Sequence, residues 1–141
     1  APLFDKLLAT EVSKSSVHAA QYNIAANNVE NVALVRASSA EIADVLAGRE
    51  VLKRMKDIDL ESYRFSTLFV DPPRSGLDAT TLEFATGFEH ILYISCNPQT
   101  LQENVATLQA THAVSAAAVF DQFPYTPHLE CGVTLRCRKT G

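Results

Sequence analysis

Short apolar runs alternate along the chain with stretches whose apolar residues recur every three or four positions. Leu7-Leu8-Ala9-Thr10 predicts a strand that closes at Glu11. Ser13 is placed to cap a helix running to about Asn27, with Val17, Ala20 and Ile24 at helical spacing. Val32-Ala33-Leu34-Val35 predicts the next strand, and Ser39 to Leu46 a helix stopped by Gly48. Residues 49–64 are charged and weakly patterned, which predicts an excursion with one helical turn. Thr67-Leu68-Phe69-Val70 reads as a buried strand ending at Asp71-Pro72-Pro73, and Thr80 to Phe88 as a helix. Ile91 to Ser95 forms a further strand. Asn97-Pro98 then opens a helix of about ten residues, because a proline in the first turn gives up no intrahelical bond. Ala116–Phe120 and Val133–Cys137 predict two closing strands joined irregularly.

Strand and helix in alternation imply an α/β fold, a mostly parallel sheet with helices on both faces. A terminal strand pair without an intervening helix implies one antiparallel strand near the sheet edge. The order suits a Rossmann-like fold, in which a first strand normally enters a glycine-rich turn that holds a nucleotide. None of Gly48, Gly76, Gly87, Gly132 and Gly141 makes a Gly-x-Gly turn. The chain therefore reads as starting at the second strand, with 1–141 the C-terminal part of one catalytic domain. The absent first strand is expected at the sheet centre, between the strands ending at Glu11 and Asp71. Exposed strand edges would then invite self-association.

Composition narrows the setting. The 47% hydrophobic content fits a globular core, and no apolar run approaches the roughly 20 residues of a membrane span. Cys96, Cys131 and Cys137 are too few for a disulfide framework and fit a reducing, cytoplasmic compartment. Cys131 and Cys137 alternate with apolar residues and read as core. His128-Leu-Glu-Cys131 has no second Cys/His pair at ligand spacing, so no metal is expected. A net charge of −4 excludes a broad phosphate-binding surface on this segment. Arg49, Lys53, Arg54 and Lys56 are interrupted by acids and read more readily as a solvated face than as an RNA patch.

Ligands of open α/β sheets gather beyond the carboxyl ends of the strands, where Glu11, Asp71 and Cys96 fall. Glu11 suits ribose hydroxyls, or simple solvation. Asp71 runs into two rigid prolines, which suits a fixed site carboxylate or a plain turn. Cys96 sits between a strand and a helix N-terminus, whose partial positive charge favours a thiolate; an inert buried thiol fits the position equally. Phe120 to Cys131 combines aromatics, two prolines and the pair His128/Glu130, two apart and hence on one side of an extended segment. Such a loop could stack on a base and present a carboxylate as a general base, or be an ordinary edge loop.

Asp71-Pro72-Pro73-Arg74-Ser75-Gly76-Leu77, Ile94-Ser95-Cys96-Asn97-Pro98 and Phe120 through Val133 together resemble the RNA 5-methyluridine methyltransferase family. The likeness extends through Leu8–Lys14 and Gln21–Asn27, and so covers nearly the whole chain. Asp-Pro-Pro-Arg and Glu-Cys-Gly-Val are closer to the branch acting on tRNA than to the ribosomal-RNA members. The resemblance implies a Rossmann-like methyltransferase using S-adenosyl-L-methionine, with the T arm of tRNA as partner. It implies Cys96 as nucleophile, Glu130 as base, Glu11 and Asp71 as cofactor contacts, and Phe123 and His128 as pocket residues. It also implies that the 141-residue piece alone is inactive, since the family's glycine-rich loop and RNA-contacting region have no counterpart in it. A ribosomal-RNA enzyme and a noncatalytic RNA- or partner-binding module are the competing readings.

Overall fold

A computed structural model describes residues 3–122, 124–126 and 129–138. They fall into two compact units, Ala1–Arg64 and Phe65–Gly141.

In the first unit, β1 (Leu7–Glu11) pairs in parallel with β2 (Val32–Arg36), Glu11 standing opposite Arg36. Parallel neighbours need a crossover, and α1 (Lys14–Ala26) supplies it. Ser13 caps α1 by accepting from the Ser16 amide, so the helix starts where its sequence signal lies. α2 (Ser39–Leu46) begins in a full capping box, Ser38 and Glu41 each accepting the other's backbone amide.

The excursion after α2 departs from expectation. It carries two 3-10 turns, Lys53–Met55 and Leu60–Ser62. Leu52 and Met55 are buried with Val35, Ala37 and Ile42, so the weakly patterned stretch closes this unit's core. Two apolar residues three apart suffice in a 3-10 turn, too short a run to show periodicity. Arg49 and Arg54 pair with Asp44 and Glu41 of α2, which makes these two cations part of a solvated face.

In the second unit the strand order is β3 (Thr67–Val70), β4 (His90–Ser95), β6 (Glu130–Cys137), β5 (His112–Phe120). β3 and β4 are parallel, and β6 runs antiparallel to both its neighbours. The antiparallel strand is thus one place in from the edge, and β5 forms the edge. Both closing strands begin earlier than the apolar pattern indicates. Backbone pairing carries β5 back to His112 and β6 back to Glu130, through alanines and polar residues that give no periodic signal.

α3 (Ala79–Ala85) and α4 (Pro98–Leu108) complete the unit. α3 ends short of the expected Phe88. The Thr86 hydroxyl donates to the Glu83 carbonyl, and successive turns through Gly87 and Phe88 tighten the chain out of the helix. One sheet face packs Ile91, Tyr93, Cys131 and Leu135 with Ala85, Leu101 and Leu108 from the helices. The other face leaves Phe69 and Phe120 exposed. A bulge between Val114 and Ala116 shifts the β5–β6 register by one, and Ser115 anchors it through the Thr134 carbonyl and hydroxyl.

No helix among the described residues is long and apolar enough to cross a membrane.

Candidate active site

The strands of the second unit bring three of the predicted residues to one end of its sheet. Val70 pairs with Tyr93, so Asp71 leaves β3 alongside the last residues of β4. Ser95 pairs with Cys131. Cys96 follows Ser95 in the chain and Glu130 precedes Cys131, so both flank the last pair of the β4–β6 ladder. Glu130 pairs with Phe120, placing an exposed aromatic ring beside the carboxylate. The carboxylate expected in a loop is therefore the first residue of a strand, held in register by β5. Phe123 and His128 lie outside the described residues.

Cys96 sits in a tightly fixed turn. The buried Ser95 hydroxyl accepts from the Asn97 amide at 3.1 Å and donates to the Asn97 carbonyl at 3.1 Å, bracketing the cysteine. Asn97 Oδ1 then accepts from the Gln99 amide and caps α4. The thiol thus stands at a helix N-terminus, where unpaired amides carry partial positive charge.

The three cysteines are not equivalent. Cys96 is half-buried. Cys131 is buried, and burial together with the adjacent Glu130 carboxylate pushes its thiol up, which holds it as a neutral core group. Cys137 is half-buried rather than fully core.

Asp71 enters a loop closed by the Gly76 amide donating to the Pro73 carbonyl, with Gly76 at φ +76°. Three residues of α4 hold this loop. Asn97 Nδ2 and Thr100 Oγ1 both donate to the Arg74 carbonyl, at 2.9 and 3.2 Å. Asn104 Oδ1 accepts from the Leu77 amide at 2.8 Å and from the Tyr93 hydroxyl at 2.7 Å. In sequence Asn97 reads only as a cap, and Thr100 and Asn104 carry no mark of a loop contact beyond the polar helical face that they share with it.

In the first unit Glu11 closes β1, and its Oε1 accepts from the Ser13 amide at 2.8 Å. That bond fixes the carboxylate while leaving acceptor capacity for a hydroxyl ligand. An open cleft of about 270 Å³ lies at the other end of these strands, lined by Lys6, Glu30, Asp57, Asp59 and Tyr63 among others. Three of those five are acidic, which does not suit a phosphate.

No cluster of three or more His, Cys, Asp or Glu side chains able to hold a metal occurs among the described residues.

Residues 1–138 match the family model described as tRNA (Uracil-5-)-methyltransferase. The chain belongs to this family.

Relatives in it include the tRNA/tmRNA (uracil-C(5))-methyltransferase of Dechloromonas aromatica, 72% identical over 97% of the chain and 38% of that protein. The enzyme of the same name from Aromatoleum aromaticum is 71% identical over 98% of the chain and 38% of its own length. The chain thus spans well under half of the family members it matches. Among solved structures, the tRNA (uracil-54, C5)-methyltransferase of Pyrococcus abyssi in complex with S-adenosyl-L-homocysteine is similar at a TM-score of 0.70 and 26% identity. It covers 92% of this chain and 28% of that one. A ribosomal-RNA methylase from Streptococcus thermophilus shares the fold alone, at a TM-score of 0.62 and 11% identity over 94% of this chain and 73% of that one. The α/β architecture is that of S-adenosylmethionine-dependent methyltransferases.

Proposed function

We propose that this chain carries the reacting residues of an S-adenosyl-L-methionine-dependent tRNA uracil-C5 methyltransferase. Cys96 is the nucleophile, Glu130 the base, and Glu11 and Asp71 the cofactor contacts. The observation that supports this best is the strand register. Cys96 at a helix N-terminus and Glu130 flank the last pair of the β4–β6 ladder, Ser95 with Cys131, and Asp71 follows the last pair of the β3–β4 ladder, which supports the reading.

Uracil C5 is a weak carbon nucleophile. Cys96 Sγ bonds to C6, and the electron pair of the C5–C6 double bond becomes enolate-like at C5. S-adenosylmethionine, when bound, supplies an electrophilic methyl group. Glu130 then accepts the C5 proton, the double bond re-forms, and the C6–S bond breaks to return the thiolate. Dividing the substitution into addition and elimination replaces one difficult step by easier ones. The substrate uridine has to leave its stack for the sulfur to reach C6.

Glu11 and Asp71 are each assigned to the cofactor from their own place at a parallel strand's carboxyl end, where hydroxyl-bearing ligands of such sheets bind. The exposed Phe120 ring beside Glu130 suits stacking on the extruded base. Phe123 and His128 are proposed pocket residues on the resemblance alone. The relatives' name extends the substrate to tmRNA beside the T arm of tRNA. The 141-residue segment alone, having no Gly-x-Gly turn, is proposed to be inactive.

The test is adduct formation between the full-length protein carrying this sequence and a T-arm RNA containing 5-fluorouridine. A denaturation-stable adduct should form with S-adenosylmethionine and vanish in Cys96→Ala. Glu130→Gln, given ordinary uridine RNA, should accumulate an adduct that releases slowly. An adduct that survives Cys96→Ala removes the assignment.

A further inference from the structure

Asn104 lies seven residues beyond Asn97 along α4, about 10 Å of helix rise, too far along for its short side chain to touch groups held at Cys96. Its amide is nevertheless committed at both ends. Oδ1 takes the Leu77 amide and the Tyr93 hydroxyl, and Nδ2 reaches the Leu77 carbonyl at 3.4 Å. Tyr93 is fully buried, and burial pushes its phenol up, so it stays protonated as the donor in this pair. Gly76 packs directly on the same amide: a Cβ there would stand 2.6 Å from Asn104 Oδ1.

The Asp71 loop is thereby gripped at its middle and its exit by the helix that starts beside Cys96. Asn97 and Thr100 hold its middle at Arg74, and Asn104 holds its exit at Leu77. Pro72 and Pro73 stiffen its entrance. A loop with fixed entrance, middle and exit leaves the Asp71 carboxylate little freedom relative to α4.

We propose that Asn104 is a positioning residue for cofactor binding: by pinning Leu77 it holds the Asp71 loop on α4, so that Asp71 and Cys96 keep one spacing. The proposal rests on the assignment of Asp71 to the cofactor. It separates two roles of one side chain, since the Tyr93 bond serves only the core whereas the Leu77 bond serves the loop.

The experiment uses the full-length protein with Asn104→Ala, Asn104→Asp, Tyr93→Phe and Asp71→Ala. S-adenosylmethionine affinity is measured by calorimetry, the KM and kcat of methyl transfer are determined, and thermal midpoints are recorded. Asn104→Ala should bind the cofactor about tenfold more weakly, the equivalent of about 1.4 kcal/mol. Its KM should rise in parallel, with kcat within about twofold. Tyr93→Phe, which loses only the bond to the core, should lower the thermal midpoint yet keep cofactor affinity. Asn104→Asp still accepts from Leu77 and Tyr93 but loses the Nδ2 donor to the Leu77 carbonyl, so its affinity should lie between those of the parent and Asn104→Ala.

Equal affinity in Asn104→Ala and Tyr93→Phe would overturn the proposal, as would an Asn104→Ala affinity equal to that of the parent. If Asp71→Ala weakens binding while Asn104→Ala does not, the positioning role alone fails. If Asp71→Ala leaves affinity unchanged, the cofactor assignment fails and the proposal with it.

Discussion

Replacing Gly76 with alanine tests whether the loop and α4 are packed as tightly as their geometry indicates. Two costs arise. An alanine at φ +76° sits in the left-handed region, at about 1–2 kcal/mol. The added Cβ would also come within 2.6 Å of Asn104 Oδ1. Oδ1 has to move, which weakens its bonds to the Leu77 amide and the Tyr93 hydroxyl, at about 1 kcal/mol each. Gly76→Ala should therefore destabilise by about 3–4 kcal/mol. Asn104→Ala removes the obstructing oxygen and costs about 2 kcal/mol for the same two bonds. In that background Gly76→Ala retains its backbone cost and a 3.3 Å approach to Thr100 Cβ, both of which the single variant also bears. The double variant should thus be about 2 kcal/mol more stable than the sum of the single effects predicts. Urea denaturation of the four proteins closes the cycle. Additivity within about 0.5 kcal/mol would show that the two residues do not share a contact, and would refute the reasoning.

Two further predictions concern stability alone. The Ser38 amide and hydroxyl and the Arg54 guanidinium hold the Glu41 carboxyl down to about 2, from an ordinary 4.5. A depressed folded-state value contributes stability that is complete above pH 4.5 and drains away as pH falls towards 2. Urea midpoints should therefore drop more between pH 5 and pH 3 in the parent than in Glu41→Gln; equal drops would remove Glu41 from the acid response. Leu108→Ala empties a fully buried position enclosed by α4, β4 and β6, and should cost about 3 kcal/mol by urea denaturation. A loss below about 1 kcal/mol would mean that the cluster collapses freely around the gap.

The strand ends at Glu11, Asp71 and Ser95 were legible in the sequence because each apolar run stops at a residue or pair unfit to continue a buried strand: a carboxylate, a carboxylate before two prolines, and the helix-capping Asn97-Pro98 just after Cys96. Local chemistry decided those boundaries. Glu130 was legible as a candidate site residue through the family resemblance, but its place in a strand was not. Its pairing is with Phe120, a partner ten residues away that is chosen by the fold. Asn104 illustrates the same limit from the other side. An asparagine inside a helix is usually solvated, and nothing near residue 104 announces a partner 27 positions earlier at Leu77. The first 3-10 turn stayed hidden because Val51-Leu52 and Met55 are brief apolar interruptions among charges.

The bulge at Ser115 bears on how this strand tolerates change in length. β5 carries one residue more than its pairing with β6 requires. A deletion at any single position from 115 to 119 can be taken up by straightening the bulge, leaving the end of the strand opposite Glu130. An insertion has no such reserve, and is expected to push a different side chain opposite Glu130. The strand thus carries slack in one direction only.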